Sequence, residues 1–156
     1  MKITFLWVGK TAEQWLQAGL AEYEKRLKHY IAYSVICVTP KNLPKQDIER
    51  QKTMEGDAIL AAIDPADELY LLDEHGKMFS SEEMAQWLER KMTASVKNLV
   101  LAVGGPYGFS PAVYRHADGQ ISFSSLTFSH QMIRLLLYEQ VYRALTIIKG
   151  EAYHHR

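Results

Sequence analysis

The sequence predicts an α/β fold: a single domain with a mostly parallel sheet covered by helices on both faces. Three observations carry that expectation. Strand-like and helix-like segments alternate along the chain, the pattern of parallel strands joined by helical crossovers. Three of the strand candidates are short apolar runs rather than apolar-polar alternations, as strands buried on both faces must be. Finally, no repeat, low-complexity tract or long internal linker divides the 156 residues.

Residues 2–8 form a compact β-branched and aromatic run, and Gly9 opens a turn before Thr11, which with Gln14 makes a capping-box pattern. A helix is expected from Thr11 to Tyr30, because Leu16, Leu20, Tyr23 and Leu27 recur at helical spacing. Ser34 to Val38 reads as a second buried strand, and Pro40 to Gln46, with two prolines and two lysines, as a loop. A polar helix should run from Asp47 to Ile63, ended by Asp64-Pro65, since a residue before proline resists helical geometry. Glu68 to Leu72 is the third strand, and Ser80 with Glu83 opens a capped helix to Met92. Leu99 to Val103 is the fourth strand, Ser110-Pro111 starts a helix, and Ile121 to Phe123 is a short fifth strand.

The last helix is expected from His130 to Lys149, with Gly150 as its C-cap. Ile133, Leu136, Leu137, Gln140, Val141, Ala144, Leu145 and Ile148 form one face, and Leu135, Tyr138, Tyr142 and Ile147 widen it. A helix apolar over most of its girth buries two sides. With the sheet on one side and a second copy of the chain on the other, this predicts a symmetric homodimer; the alternative is a helix sandwiched inside one chain.

Composition narrows the function classes. Lys plus Arg and Asp plus Glu number 18 each, so no overall field draws the protein to nucleic acid or membrane, and an anionic partner has to meet a local patch. One cysteine, Cys37, excludes a disulfide framework and a thiolate metal cage, and a reducing, cytoplasmic setting is expected. The amino-terminal apolar run is too short to span a bilayer and lacks a cleavage signal, so no membrane partner is expected.

In open parallel sheets, ligands sit beyond the carboxyl ends of the strands. Three segments lie there: DEHGK at 73–77, GGPYG at 104–108 and SSLTFSH at 124–130. Glycines permit close backbone approach to a flat ligand, although the spacing is not the dinucleotide fingerprint and no Walker lysine is present. Asp73 and Glu74 are either a general-base pair or solvated loop acids. His130, His154 and His155 lack zinc-ligand spacing, so no metal is expected. Ser124, Ser125 and Ser129 have no nucleophile elbow, which leaves a hydrolase built on Asp73, His75 and a serine without support. Hydrogen bonding near a helix start is their more natural use.

VGGPYGFS at 103–110, ISFSSLTFSHQMIR at 121–134, EQVYRA at 139–144 and GEAYHHR at 150–156 combine with MKITFLWVGK at the start and AEYEKRL at 21–27. Together they resemble the RlmH family of SPOUT methyltransferases over essentially the whole chain. The resemblance implies a homodimeric SPOUT-type domain with a C-terminal trefoil knot. It also implies S-adenosylmethionine as cofactor and, as substrate, N3 of a pseudouridine in the helix 69 loop of 23S rRNA within the ribosome. By the same resemblance Leu72, Gly104, Phe123, Ser124, Ser125, Leu126, Thr127 and Phe128 bind the cofactor. Tyr153 and His154 are the catalytic candidates, and His130, Arg143 and Arg156 are substrate-binding groups. The family often carries proline where this chain has Ser129; serine can cap the helix, so altered loop stiffness rather than lost activity is expected.

The chemistry implied is undemanding. A sulfonium is already primed as a leaving group, so in-line placement of the nucleophile is the main requirement, without metal or covalent intermediate. The N3 proton must leave, which a base or a positive group assists. Tyrosine or histidine can instead stack on an extruded base. A chain of zero net charge is poorly suited to naked RNA, so recognition of an assembled ribosomal surface by two protomers is expected. The competing reading is a nonenzymatic ribosome-binding or assembly module with a vestigial pocket.

Overall fold

Strands β1 (Lys2–Val8), β2 (Ala32–Val38), β3 (Glu68–Met78), β4 (Asn98–Val103) and β5 (Gly119–Ser122) pair in the order β2-β1-β4-β3-β5. Every pairing is parallel. This is a computed structural model, and it describes residues 1–155; the substrate-binding expectation for Arg156 lies outside the described residues. Helices α1 (Gln14–Leu27), α3 (Ser81–Thr93) and α5 (Met132–Ile148) cover one face of the sheet. Helices α2 (Ile48–Ala62) and α4 (Pro111–His116) cover the other.

The central strands explain why both layers form. Along β1, Ile3, Phe5 and Trp7 point to the α1, α3 and α5 side, while Leu6 and Val8 point to the α2 and α4 side. β4 does the same with Leu99, Leu101 and Val103 against Val100 and Ala102. With both faces apolar, the period-two signal disappears and a continuous hydrophobic run remains. The steps β1 to β2 and β3 to β4 move toward the β2 edge over the first helical layer. Those from β2 to β3 and β4 to β5 move away from it over the second. All four crossovers therefore share one hand, as twisted parallel strands require.

Several expectations need correction. Thr11 does not cap α1, which begins at Gln14 with Glu13 as an N-cap lacking a side-chain bond; the Thr11 hydroxyl instead accepts from Arg134 Nη1 at 2.9 Å. Strand β2 is an edge strand, half open to solvent, with Cys37 exposed, because β1 is its only sheet neighbour. Residues 73–77 are not a free loop: β3 continues to Met78 after a register shift between Leu72 and Lys77. Gly76 allows this, since a Cβ there would lie 2.5 Å from the Ile121 backbone nitrogen.

The predicted caps of the other helices are present. Ser80 and Glu83 close a full capping box on α3, Ser110 accepts from Val113 N on α4, and Gly150 takes φ +72° after α5. Helix α5 packs between α1 and α3, over the sheet. Tyr138 meets Phe5 edge-on at 4.6 Å, and a Cβ on Gly19 of α1 would touch Leu135 at 3.2 Å. Within one chain Leu137, Tyr138, Val141, Ala144 and Leu145 are buried, whereas Ile133, Leu135, Leu136, Tyr142, Ile147 and Ile148 stay partly exposed along the rest of the helix.

Candidate active site

The carboxyl ends of β3, β4 and β5 open onto one cleft of about 490 Å³, lined by residues from 72–75, 103–109, 114, 121–130 and 133. It gathers Leu72, Gly104, Phe123, Ser124, Leu126, Thr127, Phe128 and His130; Ser125 is not part of its lining. Close packing from behind dictates the glycines of its β4 wall. A Cβ on Gly104 would sit 3.1 Å from the Phe109 ring, and one on Gly105 would sit 2.9 Å from a carboxyl oxygen of Glu55. Gly108, at φ +81°, closes the turn by donating its amide to the Gly105 carbonyl at 3.2 Å.

The 122–130 wall is held by its own hydroxyls. Ser122 Oγ donates to the Ser124 carbonyl at 2.9 Å, Ser124 Oγ accepts from Leu126 N at 2.9 Å, and Ser129 Oγ accepts from Met132 N at 3.0 Å. Ser129 thus bonds the first amide of α5, which begins at Met132 rather than His130 and whose N-cap, Gln131, makes no side-chain cap bond. Leu126 is 71% exposed at the rim, a conspicuous position for a large apolar side chain.

Charge in the cleft is lopsided. Asp73 and Glu74 line it, together with His75 and His130, and among the described residues no lysine or arginine does. The Asp73 side chain, 8% exposed, accepts from Tyr114 OH and from His75 N at 2.9 Å. Burial, and then the bond to Asp73, pushes the Tyr114 phenol up to about 12, so it stays a donor at neutral pH. His130 is held below its ordinary value by burial and by the nearby Arg134 guanidinium, which keeps the imidazole neutral. A lining with fixed acids and no cations complements a positively charged small molecule better than a phosphate.

A family model described as "Predicted SPOUT methyltransferase" matches residues 1–154. The chain belongs to the SPOUT methyltransferase family. It is 48% identical to the protein named ribosomal RNA large subunit methyltransferase H of Phocaeicola vulgatus, over 99% of each chain. It is 45% identical to the protein of that name from Christiangramia forsetii, over 100% of each, and 47% identical to that of Bacteroides fragilis, over 99% of each.

In this SPOUT methyltransferase neither Tyr153 nor His154 lines the cleft of its own chain. Tyr153 packs edge-on against Tyr142 at 4.8 Å, and its hydroxyl donates to Glu139 Oε1 at 3.0 Å. Burial and the bonds to Tyr23 and Glu139 raise its phenol well above the usual range. Arg143 bonds Glu139 and lies 4.8 Å above the Tyr153 ring. His154 bridges Arg143 and Glu82, each at 3.1 Å. A smaller cleft of about 280 Å³, lined in part by Ser81 and Gln140, shares Phe123 and Phe128 with the main one and so adjoins it on the α3 and α5 side.

Two supporting residues were not singled out from the sequence. Arg134 is wholly buried, donating to Val8 O at 2.8 Å, Thr11 Oγ1 at 2.9 Å and His130 O at 3.2 Å. Its signal was its spacing: 134, 137, 138, 141, 144 and 145 make one buried helical stripe. Glu55 is the other, and its signal was Gly56, since glycine inside a helix costs about 1 kcal/mol and so marks a close approach. A Cβ on Gly56 would lie 2.3 Å from Ser110 Oγ. Among the described residues no three His, Cys, Asp or Glu side chains gather as a metal site, and no helix is long and apolar enough to cross a membrane.

Proposed function

We propose that this SPOUT methyltransferase transfers a methyl group from S-adenosylmethionine to N3 of a pseudouridine in the helix 69 loop of 23S rRNA, acting as a homodimer on the assembled ribosome. The observation that carries the reading is the cleft at the strand ends, with a glycine-rich wall and, among the described residues, acidic groups but no lysine or arginine in its lining. The full-length similarity to proteins named ribosomal RNA large subunit methyltransferase H supports the choice of polymer and of reaction. The trefoil knot implied by the family resemblance belongs to the same reading.

The residues present fit such a donor. Gly104 presents bare backbone at the end of β4, where the Phe109 ring leaves no room for a Cβ, and the 123–128 segment supplies the facing wall; within that segment Ser125 is assigned to the donor by resemblance alone. Asp73 and Glu74 complement the positive charge of a sulfonium and an ammonium. When bound, the donor supplies an electrophilic methyl on a sulfonium that departs as a neutral thioether. The protein's share is to orient the acceptor nitrogen in line and to accommodate its proton. His130, neutral and at the mouth of α5, is assigned to the substrate.

Tyr153 in its own-chain setting is a protonated phenol that donates to Glu139, which suits stacking or donation rather than proton removal. Since Arg143, Tyr153 and His154 stand outside their own cleft, the reading assigns them to the cleft of the partner protomer. Titration calorimetry with S-adenosylmethionine tests the reading. Saturable binding that Gly104→Val abolishes supports it, and no binding with or without ribosomes favours the nonenzymatic module.

A further inference from the structure

The α2 helix carries a buried carboxyl group, Glu55, one of whose oxygens has no hydrogen-bond partner. Glu55 is 5% exposed, and its Oε1 has no hydrogen-bond partner. Among the described residues the only other buried side-chain atom of that kind is Glu68 Oε2, which sits 2.8 Å from Lys91 Nζ and is therefore in an ion pair. Glu55 has only Gln51, one turn back, as a hydrogen-bonding neighbour, and burial raises its carboxyl above the usual range, toward the neutral acid.

Its position is specific. The two carboxyl oxygens lie 2.9 and 3.2 Å from the point where a Cβ on Gly105 would be, so the group is pressed flat against that glycine. The next residue, Gly56, rests equally closely on Ser110, where α4 begins. Consecutive positions of α2 thus form the floor under both ends of the 104–110 loop. A buried polar atom left without a partner is rare in native proteins, because the desolvation it suffers is not repaid. Replacing such a group by an apolar one of the same shape can be nearly neutral for the fold. Its retention beneath the glycine wall calls for a state of the loop in which it is paired.

We infer that Glu55 is a positioning residue for the donor-binding loop, whose carboxyl takes a backbone amide of Gly105 or Tyr107 when the loop settles on the bound methyl donor. Pro106 between them has no amide to offer. The inference rests on the proposed S-adenosylmethionine reading and concerns only this chain's own residues. Its consequence is a separation of stability from binding: the orphan oxygen is a cost in the free protein and is satisfied in the complex.

Two variants test it, Glu55→Met and Glu55→Gln, with S-adenosylmethionine as the probe. Titration calorimetry gives the dissociation constant, and thermal unfolding without ligand gives the stability. Glu55→Met should keep or raise the melting temperature while weakening S-adenosylmethionine binding at least fivefold. Glu55→Gln, which keeps an acceptor oxygen in place, should bind within twofold of the unsubstituted protein. Glu55→Met with unchanged affinity overturns the inference. So does Glu55→Met with stability and affinity lowered together, the mark of a merely structural residue. If Glu55→Met does not fold, amide hydrogen exchange of the unsubstituted protein decides: slowing of Gly105 or Tyr107 by S-adenosylmethionine that Glu55→Gln retains supports the assignment, and no slowing at either amide contradicts it. Failure of the unsubstituted protein to bind S-adenosylmethionine would instead strike the proposed function itself.

Discussion

Arg143 Nη1 lies 3.1 Å from His154 Nδ1, and since a guanidinium can only donate, that ring nitrogen is the acceptor. The proton of a neutral His154 is therefore on Nε2, which donates to Glu82 Oε1 at 3.1 Å. One histidine thus joins the end of the chain to α5 and to the start of α3. With Tyr153 on Glu139 and Tyr142, it fixes the tail against its own protomer and outside its own cleft.

Tyr153→Phe, His154→Ala and deletion of 153–156 should each reduce methyl transfer by about tenfold or more, a loss on the scale of one general acid-base or stacking group. Affinity for S-adenosylmethionine should stay within about twofold, because neither Tyr153 nor His154 lines the cleft. Single-turnover rates and calorimetry measure the two separately. Full activity in all three variants would remove the tail from the chemistry.

If the chain forms the proposed homodimer, mixed dimers distinguish which cleft the tail serves. A chain with Gly104→Val has no donor site but an intact tail, and a chain lacking 153–156 has the reverse. If the tail works across the dimer, mixing the two restores one complete site per mixed dimer. If it works within its own chain, every combination stays inactive.

Arg134 should be a stability residue as well as a site support. Arg134→Met leaves the Val8 and His130 carbonyls without their charged donor, and a loss of roughly 3 kcal/mol is expected from hydrogen bonds to a buried charge. Arg134→Lys should recover only part of it, since an ammonium lacks the planar fork that reaches three acceptors. Urea unfolding monitored by far-UV circular dichroism reads both.

The depressed His130 gives a pH dependence of definite sign. In the unfolded chain it titrates near 6.5, and in the folded protein it titrates lower because burial and Arg134 disfavour its charge. Below about pH 6.5 the unfolded state therefore binds more protons, and stability falls as the pH drops toward the folded value. Melting temperatures taken from pH 7.5 to 5 should decline, and His130→Asn should flatten part of that decline. An unchanged slope would show that His130 is not the group responsible.

The parts legible in the sequence were those set by local pattern. β1 and β4 announce themselves because burial on both faces makes them apolar throughout, and Ser80, Ser110 and Gly150 signal helix ends by chemistry that needs no tertiary context. AYSVICV looks like such a strand too, yet it forms the edge, because its place depends on the order of strands far away in the chain. The same limit applies to the site. The strand-end rule located the three segments around the cleft, whereas the seat of His154 depends on Glu82 and Arg143, which only the packing of α3 and α5 brings together. Arg134 and Glu55 pass unremarked in the sequence, because what distinguishes them, three distant acceptors for one and an unpaired oxygen for the other, exists only in the folded chain.

The central claim is tested most directly by incubating the protein with methyl-labelled S-adenosylmethionine and ribosomes from cells lacking the enzyme, then mapping the labelled nucleoside. The account predicts about one methyl group per large subunit, on N3 of a pseudouridine in the helix 69 loop, with little transfer to the naked RNA. Absence of label from ribosomes under conditions where the donor binds, or label on a different base, would contradict it.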